Sequence, residues 1–158
     1  MVSPIRFFLD TSILAEYKKG TKTDLLDELI QREYLLCYNQ IVLSEYLFVT
    51  LAHYGQKSLR TLKMSYYIPE LLDKHDVESL LEPLHFLKDT DESVVRDVPR
   101  LMREYNLLPN DAIIFSHCQS SGIQYLASYD SDFRPLCRKE GISLIDSVEA
   151  LNIHFPVS

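Results

Sequence analysis

Cationic side chains are in short supply: 16 Lys and Arg stand against 23 Asp and Glu, for a formal charge of -7 over 158 residues. That balance argues against broad, nonspecific duplex binding, which takes many cationic phosphate contacts, although it leaves room for a local basic track. Cysteine is scarce too. Cys37, Cys118 and Cys137 are odd in number and lack C-x-x-C spacing, so they indicate neither a disulfide framework nor a zinc knuckle and read as core thiols. Gly20, Gly55, Gly122 and Gly141 are too scattered for a phosphate-binding loop or a dinucleotide fingerprint. The longest apolar stretch, Ile41 to Ala52, is broken by Ser44 and Glu45 and is too short for a bilayer, while Arg6 and Asp10 spoil a signal-peptide reading. "LDTSIL" lacks the second Asp of a D-x-D phosphatase, and no G-x-S-x-G elbow is present. His117 and Cys118 are adjacent, and adjacent helical positions face different ways, so the pair reads as noncatalytic. His53, His75, His85 and His154 show no metal-ligand spacing and read as surface or packing residues.

What remains is ordinary globular composition, 46% hydrophobic and 25% charged. No repeat, Gly/Ser linker or low-complexity tract divides the chain, so a single domain over 1–158 is expected, soluble and cytoplasmic. Apolar runs predict strands near 5–9, 34–38, 83–87, 123–128 and 143–145. Amphipathic segments predict helices near 12–19, 24–32, 41–54, 58–67, 91–105 and 111–120. Strands that alternate with helices predict an α/β fold with a parallel sheet covered on both faces. Ligands of such sheets bind beyond the carboxyl ends of the strands, where strand order reverses.

At one such end sits a carboxylate. "IRFFLDTSIL" runs as a buried strand into Asp10 and then straight into a helix, and a buried carboxylate is costly unless it is hydrogen-bonded, neutralised or given to a cation. Glu45 is the second: its helical neighbours Ile41, Val42, Phe48 and Val49 are all apolar and offer no local ion pair. Asp111 follows Pro109 and Asn110, so Asn110 reads as a cap and Asp111 as a first-turn residue. Asp130 lies just past another apolar strand, with Asp132 close behind. Taken singly, each has an ordinary explanation as a turn, cap, first-turn or outward-snorkelling residue. Taken together they differ, because strand ends and helix starts in this architecture converge on one edge. Carboxylates gathered there repel one another unless protonated or bound to metal. Oxygen donors without a His or Cys cluster favour a hard cation, Mg2+ or Mn2+.

In order and spacing, "FFLDTSIL", "LSEYLF", "LPNDAII" and "YLASYDSDF" resemble a PIN domain, the small nuclease fold of VapC-type toxins. The resemblance spans about 5–151. It implies a three-layer α/β/α fold with a parallel, about five-stranded sheet, and an acidic pocket of Asp10, Glu45, Asp111 and Asp130. Ser12 and Ser128 match hydroxyl positions that orient ligands or water, and Asp132 matches a second, less constant acidic position. The activity it implies is Mg2+-dependent (or Mn2+-dependent) hydrolysis of RNA with a 5'-phosphate product, at one or two ions. Asp10 and Asp111 are then the expected direct ligands, and Glu45 and Asp130 act through water or on the nucleophile. The partners implied are RNA, a small antitoxin protein and a second copy of the chain in a homodimer.

Lys57, Arg60 and Lys63 recur every three residues before Tyr66 and Tyr67, which suits an RNA backbone with a base stacked on tyrosine. Lys18, Lys19 and Lys22 offer another phosphate contact near the site. A solvated helix face is the plainer reading of both groups. Two functions from different classes stay open: a ribonuclease toxin held by an antitoxin, and a non-cleaving PIN-like module of an RNA-processing or regulatory complex. The intact acidic positions favour the ribonuclease.

Overall fold

In the computed structural model, which describes residues 2–88 and 90–158, the apolar run "RFFL" becomes the middle strand β1 (Arg6–Leu9) of a five-stranded sheet. The other strands are β2 (Leu35–Tyr38), β3 (His85–Phe86), β4 (Tyr125–Ala127) and β5 (Ser143–Ile145). All four pairings are parallel and the order is β3-β2-β1-β4-β5. The chain therefore builds outward from β1 on one side and then returns to add β4 on the other. The reversal of strand order falls between β1 and β4.

Successive β1 side chains point to opposite faces. Phe7 packs its ring against Tyr34, Tyr125 and Phe155 at 4.9, 5.1 and 5.9 Å, whereas Phe8 meets His117 at 5.7 Å. Phe7, Phe8 and Leu9 are all fully buried. A parallel strand covered on both faces reads as a continuous hydrophobic run, which is why β1 shows no polar alternation. Helices supply the covering layers and give the three-layer α/β/α arrangement. Helix α1 (Thr11–Lys19) packs on α3 (Gln40–Gly55), α2 (Asp24–Gln31) on α9 (Val148–His154), and α6 (Val94–Tyr105) on α7 (Pro109–Ser120). The three cysteines are buried and unbridged.

Several elements differ from the sequence expectation. The segment expected as one helix over 58–67 is two, α4 (Leu59–Met64) and α5 (Ile68–Lys74), because Tyr66 adopts a left-handed φ of 54° that no helix interior tolerates. Helix α8 (Phe133–Glu140) and α9 have no counterpart in the sequence reading. Both are short, and the buried positions of α8, Phe133, Leu136 and Cys137, cover barely one helical period. The strand expected over 83–87 shrinks to two residues at the sheet edge, where one neighbour holds it. Helix α6 starts at Val94, after a turn in which Asp91 accepts from the Ser93 N–H at 2.8 Å.

One buried polar contact joins the helices that carry Glu45 and Asp111. Asn39, only 3% exposed, caps α3 by accepting from the Val42 N–H at 3.0 Å, and its Nδ2 lies 3.1 Å from Nδ1 of His117 on α7. Removing it strips a cap and unpairs part of a buried polar contact, each worth about 1 kcal/mol. Asn39→Ala is expected to lower stability by about 2 kcal/mol in urea unfolding. A loss below about 0.5 kcal/mol, the range of an inconsequential surface change, would show that the contact bears no load.

Candidate active site

Asp10 stands at the reversal point between β1 and β4, and Glu45 and Asp111 are near enough to feel its charge. Asp10 leaves β1 with its N–H donated to the Ala127 carbonyl at 2.9 Å, and Ser128 leaves β4 with its N–H donated to Ile145 at 3.1 Å. Both side chains are thus carried on the ladder itself. Asp10 is also the cap of α1: its Oδ2 accepts from the Ser12 N–H at 3.3 Å, the Ser12 hydroxyl at 2.7 Å and the Ser128 hydroxyl at 2.7 Å. The two hydroxyls in turn order the next loop. Ser12 Oγ accepts from the Tyr129 N–H and Ser128 Oγ from the Asp130 N–H, each at 3.0 Å. Asp130 Oδ1 then accepts from the Asp132 N–H at 2.9 Å.

This network answers part of the cost of burying Asp10, which is only 5% exposed. Burial still wins: it pushes the Asp10 carboxyl above its ordinary value of 3.8 despite the opposing hydrogen bonds. Glu45, on α3, is raised first by desolvation and then by the charge of Asp10. The Thr11 side chain holds that rise back, and Thr11 Oγ1 and Glu45 Oε1 are both buried atoms with no hydrogen bond of standard geometry among the described residues. Asp111 is pushed from 3.8 up to about 6, by burial and then by the charges of Asp10, Asp130, Glu45 and Asp132. The residues expected to share a pocket are therefore near enough to repel one another through Asp111.

Asp111 occupies the first turn of α7, as expected from its spacing, where the helix dipole favours an anion. The expected cap at Asn110 is displaced: Leu108 is the cap position and Pro109 the first helical residue, because proline's fixed φ suits that place and its missing N–H costs nothing there. Glu45 does lie beside apolar neighbours, but Phe48 is 56% exposed, so its helix face is open on one side. Thr11 and Asn39 were not singled out from the sequence. The Asn immediately before an apolar helical run was a usable cap signal, whereas Thr11 carries none.

The donors are oxygen throughout, one of them orphaned and buried, and they disfavour one another's charge. That chemistry fits a hard divalent cation. Among the described residues no three His, Cys, Asp or Glu side chains are drawn closely enough together to hold an ion. Asp10 Oδ2 is directed at the Ser12 and Ser128 hydroxyls.

The basic stripe lies elsewhere. Lys57 precedes the Ser58 cap of α4, and Arg60 and Lys63 follow on the helix. All three are exposed and none pairs with a carboxylate among the described residues. Lys63 also lines an open trough with Met64, Tyr66, Ile68 and Pro69. Among the described residues no helix is long and apolar enough to cross a membrane.

The chain belongs to the PIN domain family, whose model matches residues 7–139. It is 34% identical over 143 residues to Ribonuclease VapC6 of Methanocaldococcus jannaschii, covering 84% of this chain and 93% of that one. Ribonuclease VapC2 of the same organism is 29% identical over 133 residues, covering 82% and 87%. The fold resembles that of VapBC from Salmonella typhimurium, solved bound to DNA, with a TM-score of 0.61 at 21% identity over 90% of this chain and 98% of that chain. It also resembles VapC20 of Mycobacterium tuberculosis, a sarcin-ricin loop cleaving toxin, with a TM-score of 0.55 at 19% identity over 82% and 94%. At these identities the solved structures speak to fold alone.

The raised carboxyls fix how stability must vary with pH. A carboxyl that binds its proton more tightly folded than unfolded contributes stability below its unfolded value, and that contribution is lost as pH rises through the folded one. For Asp111 the window runs from 3.8 to about 6. In chelator, the protein is expected to lose on the order of 2 kcal/mol across that window from this group. Asp111→Asn should flatten the slope in melts run from pH 4 to pH 7. Parallel profiles for the two proteins would show that Asp111 is not under this repulsion.

Proposed function

We propose that the chain is a divalent-metal-dependent endoribonuclease that hydrolyses RNA phosphodiester bonds, and that it is the toxin of a type II toxin–antitoxin pair. The observation that carries the reading is the set of mutually repelling carboxylates at the strand-order reversal, led by Asp111 and the orphaned Glu45 oxygen. The kinship with VapC ribonucleases supports the substrate. The membership of the PIN family and the kinship with VapC relatives support a small antitoxin as partner. The family resemblance further suggests a homodimer working in the cytoplasm.

Asp10 and Asp111 are the residues to hold the cation directly, with Mg2+ or Mn2+ as the ion. A bound divalent ion supplies charge neutralisation for the phosphodiester and makes water a better nucleophile at neutral pH. Ser12 and Ser128 fix the Asp10 carboxylate so that one oxygen is already committed and its orientation is set. Glu45 and Asp130 would complete the set, through bridging water or as acceptors for the proton of the attacking water. Asp132, which donates its N–H to Asp130, extends the acidic edge. Lys57, Arg60 and Lys63, exposed and without a carboxylate partner among the described residues, offer a track for RNA phosphates, with the 88%-exposed Tyr66 beside them to stack on a base.

Purified protein is expected to cleave single-stranded RNA in Mg2+ or Mn2+, leaving 5'-phosphate ends. Asp10→Asn and Asp111→Asn should each reduce cleavage by at least about a hundredfold without unfolding the chain, as loss of a ligand or its support does at metal sites. Cleavage that persists in EDTA, or survives Asp111→Asn, would overturn the mechanism.

A further inference from the structure

Two lysines close α1 and a third lies just past it, and the structure separates them. Lys18 donates to the Asp76 carbonyl, and Lys19 Nζ stands 4.0 Å from Glu16. Lys22 lies beyond Gly20, which ends α1 in the left-handed region at φ 72° and lets the chain double back until the Lys22 N–H reaches the Glu16 carbonyl at 3.5 Å. The exposed Lys22 side chain then crosses the face of Tyr129, its Nζ 4.7 Å from the ring centroid. That distance is within cation–π range. Lys22 has no carboxylate partner among the described residues. Glu16 and Asp24 are near enough to help burial push the Tyr129 phenol up to about 12, yet Glu16 is engaged by Lys19 and by the Thr21 hydroxyl.

Tyr129 is itself tied to the acidic cluster. It sits between Ser128 and Asp130, and its N–H donates at 3.0 Å to Ser12 Oγ, the hydroxyl that holds Asp10. Lys22 is thus a cation with no carboxylate partner among the described residues, held on a ring whose backbone N–H is tied to Ser12. Such a cation has a specific use here. A polyanion approaching Asp10, Glu45, Asp111, Asp130 and Asp132 is repelled, and a positive charge held over Tyr129, the residue before Asp130, offsets part of that repulsion. Holding the ammonium on a ring also removes part of the side-chain entropy that a free lysine loses on binding.

Resting on the ribonuclease reading above, we propose that Lys22 contacts an RNA phosphate flanking the acidic cluster and that Tyr129 is its positioning residue.

The test is RNA binding, measured on protein that also carries Asp111→Asn so that nothing is cut. Anisotropy of a fluorescent single-stranded oligonucleotide is followed through a salt series. Lys22→Met is expected to weaken binding roughly fivefold at low salt, the strength of one exposed charge pair. It should also reduce the log–log salt slope by about 0.7, the signature of one phosphate on a single strand. Lys22→Arg should keep the slope, since a guanidinium also stacks on an aromatic face. Tyr129→Leu should lower the slope as Lys22→Met does, and the double variant should be no worse than Lys22→Met alone. In cleavage assays with Asp111 intact, the Lys22→Met defect should appear in KM rather than kcat.

A salt slope indifferent to Lys22→Met overturns the inference, as does strict additivity of the two single substitutions. If Tyr129→Leu fails to fold, the exposed Lys22→Met and Lys22→Arg pair still decides the matter. RNA binding that ignores Lys22 leaves the ribonuclease reading standing. No RNA binding or cleavage by the parent protein removes both.

Discussion

Much of the structure depends on one costly placement: a carboxylate buried at the end of the central strand. Asp10 follows three fully buried residues and is itself 5% exposed. The fold meets that cost locally with two hydroxyls, one N–H and the start of a helix. Each of those donors comes from an element that must be in register. Ser12 requires α1 to begin at once, and Ser128 requires β4 to lie beside β1 and end level with it. The parallel pairing of Leu9 with Ala127 puts it there.

Further acidic residues are then brought to an already expensive place. Glu45 arrives on α3 and Asp111 on α7, and the buried Asn39–His117 contact ties those two helices together. Asp130 and Asp132 follow β4 through a loop whose N–H groups answer to Ser12, Ser128 and Asp130. The buried carboxylates themselves add no stability: Asp10, Glu45 and Asp111 are all raised, first by burial, and Glu45 Oε1 has no hydrogen-bond partner among the described residues. On the function proposed above, such an arrangement trades stability for a site.

Much of this was legible in the chain. The FFLD run carried both the central strand and its terminal carboxylate, because full burial leaves no polar alternation to confuse a strand with an amphipathic helix. Asp111 was legible because Pro109 marks a helix start. The strand order was not legible, since pairing partners leave no local pattern, and the gathering of the carboxylates had to be taken from the alternation of elements and from family resemblance. Short helices such as α8 and α9 escaped because they bury too few residues to show a period. The break at Tyr66 escaped because a left-handed residue other than glycine or asparagine carries no composition signal. Lys22 looked like its neighbours Lys18 and Lys19; only the fold shows which of them remains uncommitted.

The central claim is that Glu45 and its neighbours are held in a strained, like-charged set that a divalent cation relieves. Thermal melts of the wild type and Glu45→Gln, in EDTA and through a Mg2+ titration, test it most directly. Because the unfolded chain offers no assembled site, Mg2+ should raise the wild-type melting temperature by mass action. Glu45→Gln keeps the shape and removes one charge, so it should start about 1 kcal/mol more stable in EDTA and respond less to Mg2+. If Glu45→Gln is instead clearly destabilised in EDTA and its response to Mg2+ matches the wild type, Glu45 is a structural residue and the account of the site is wrong.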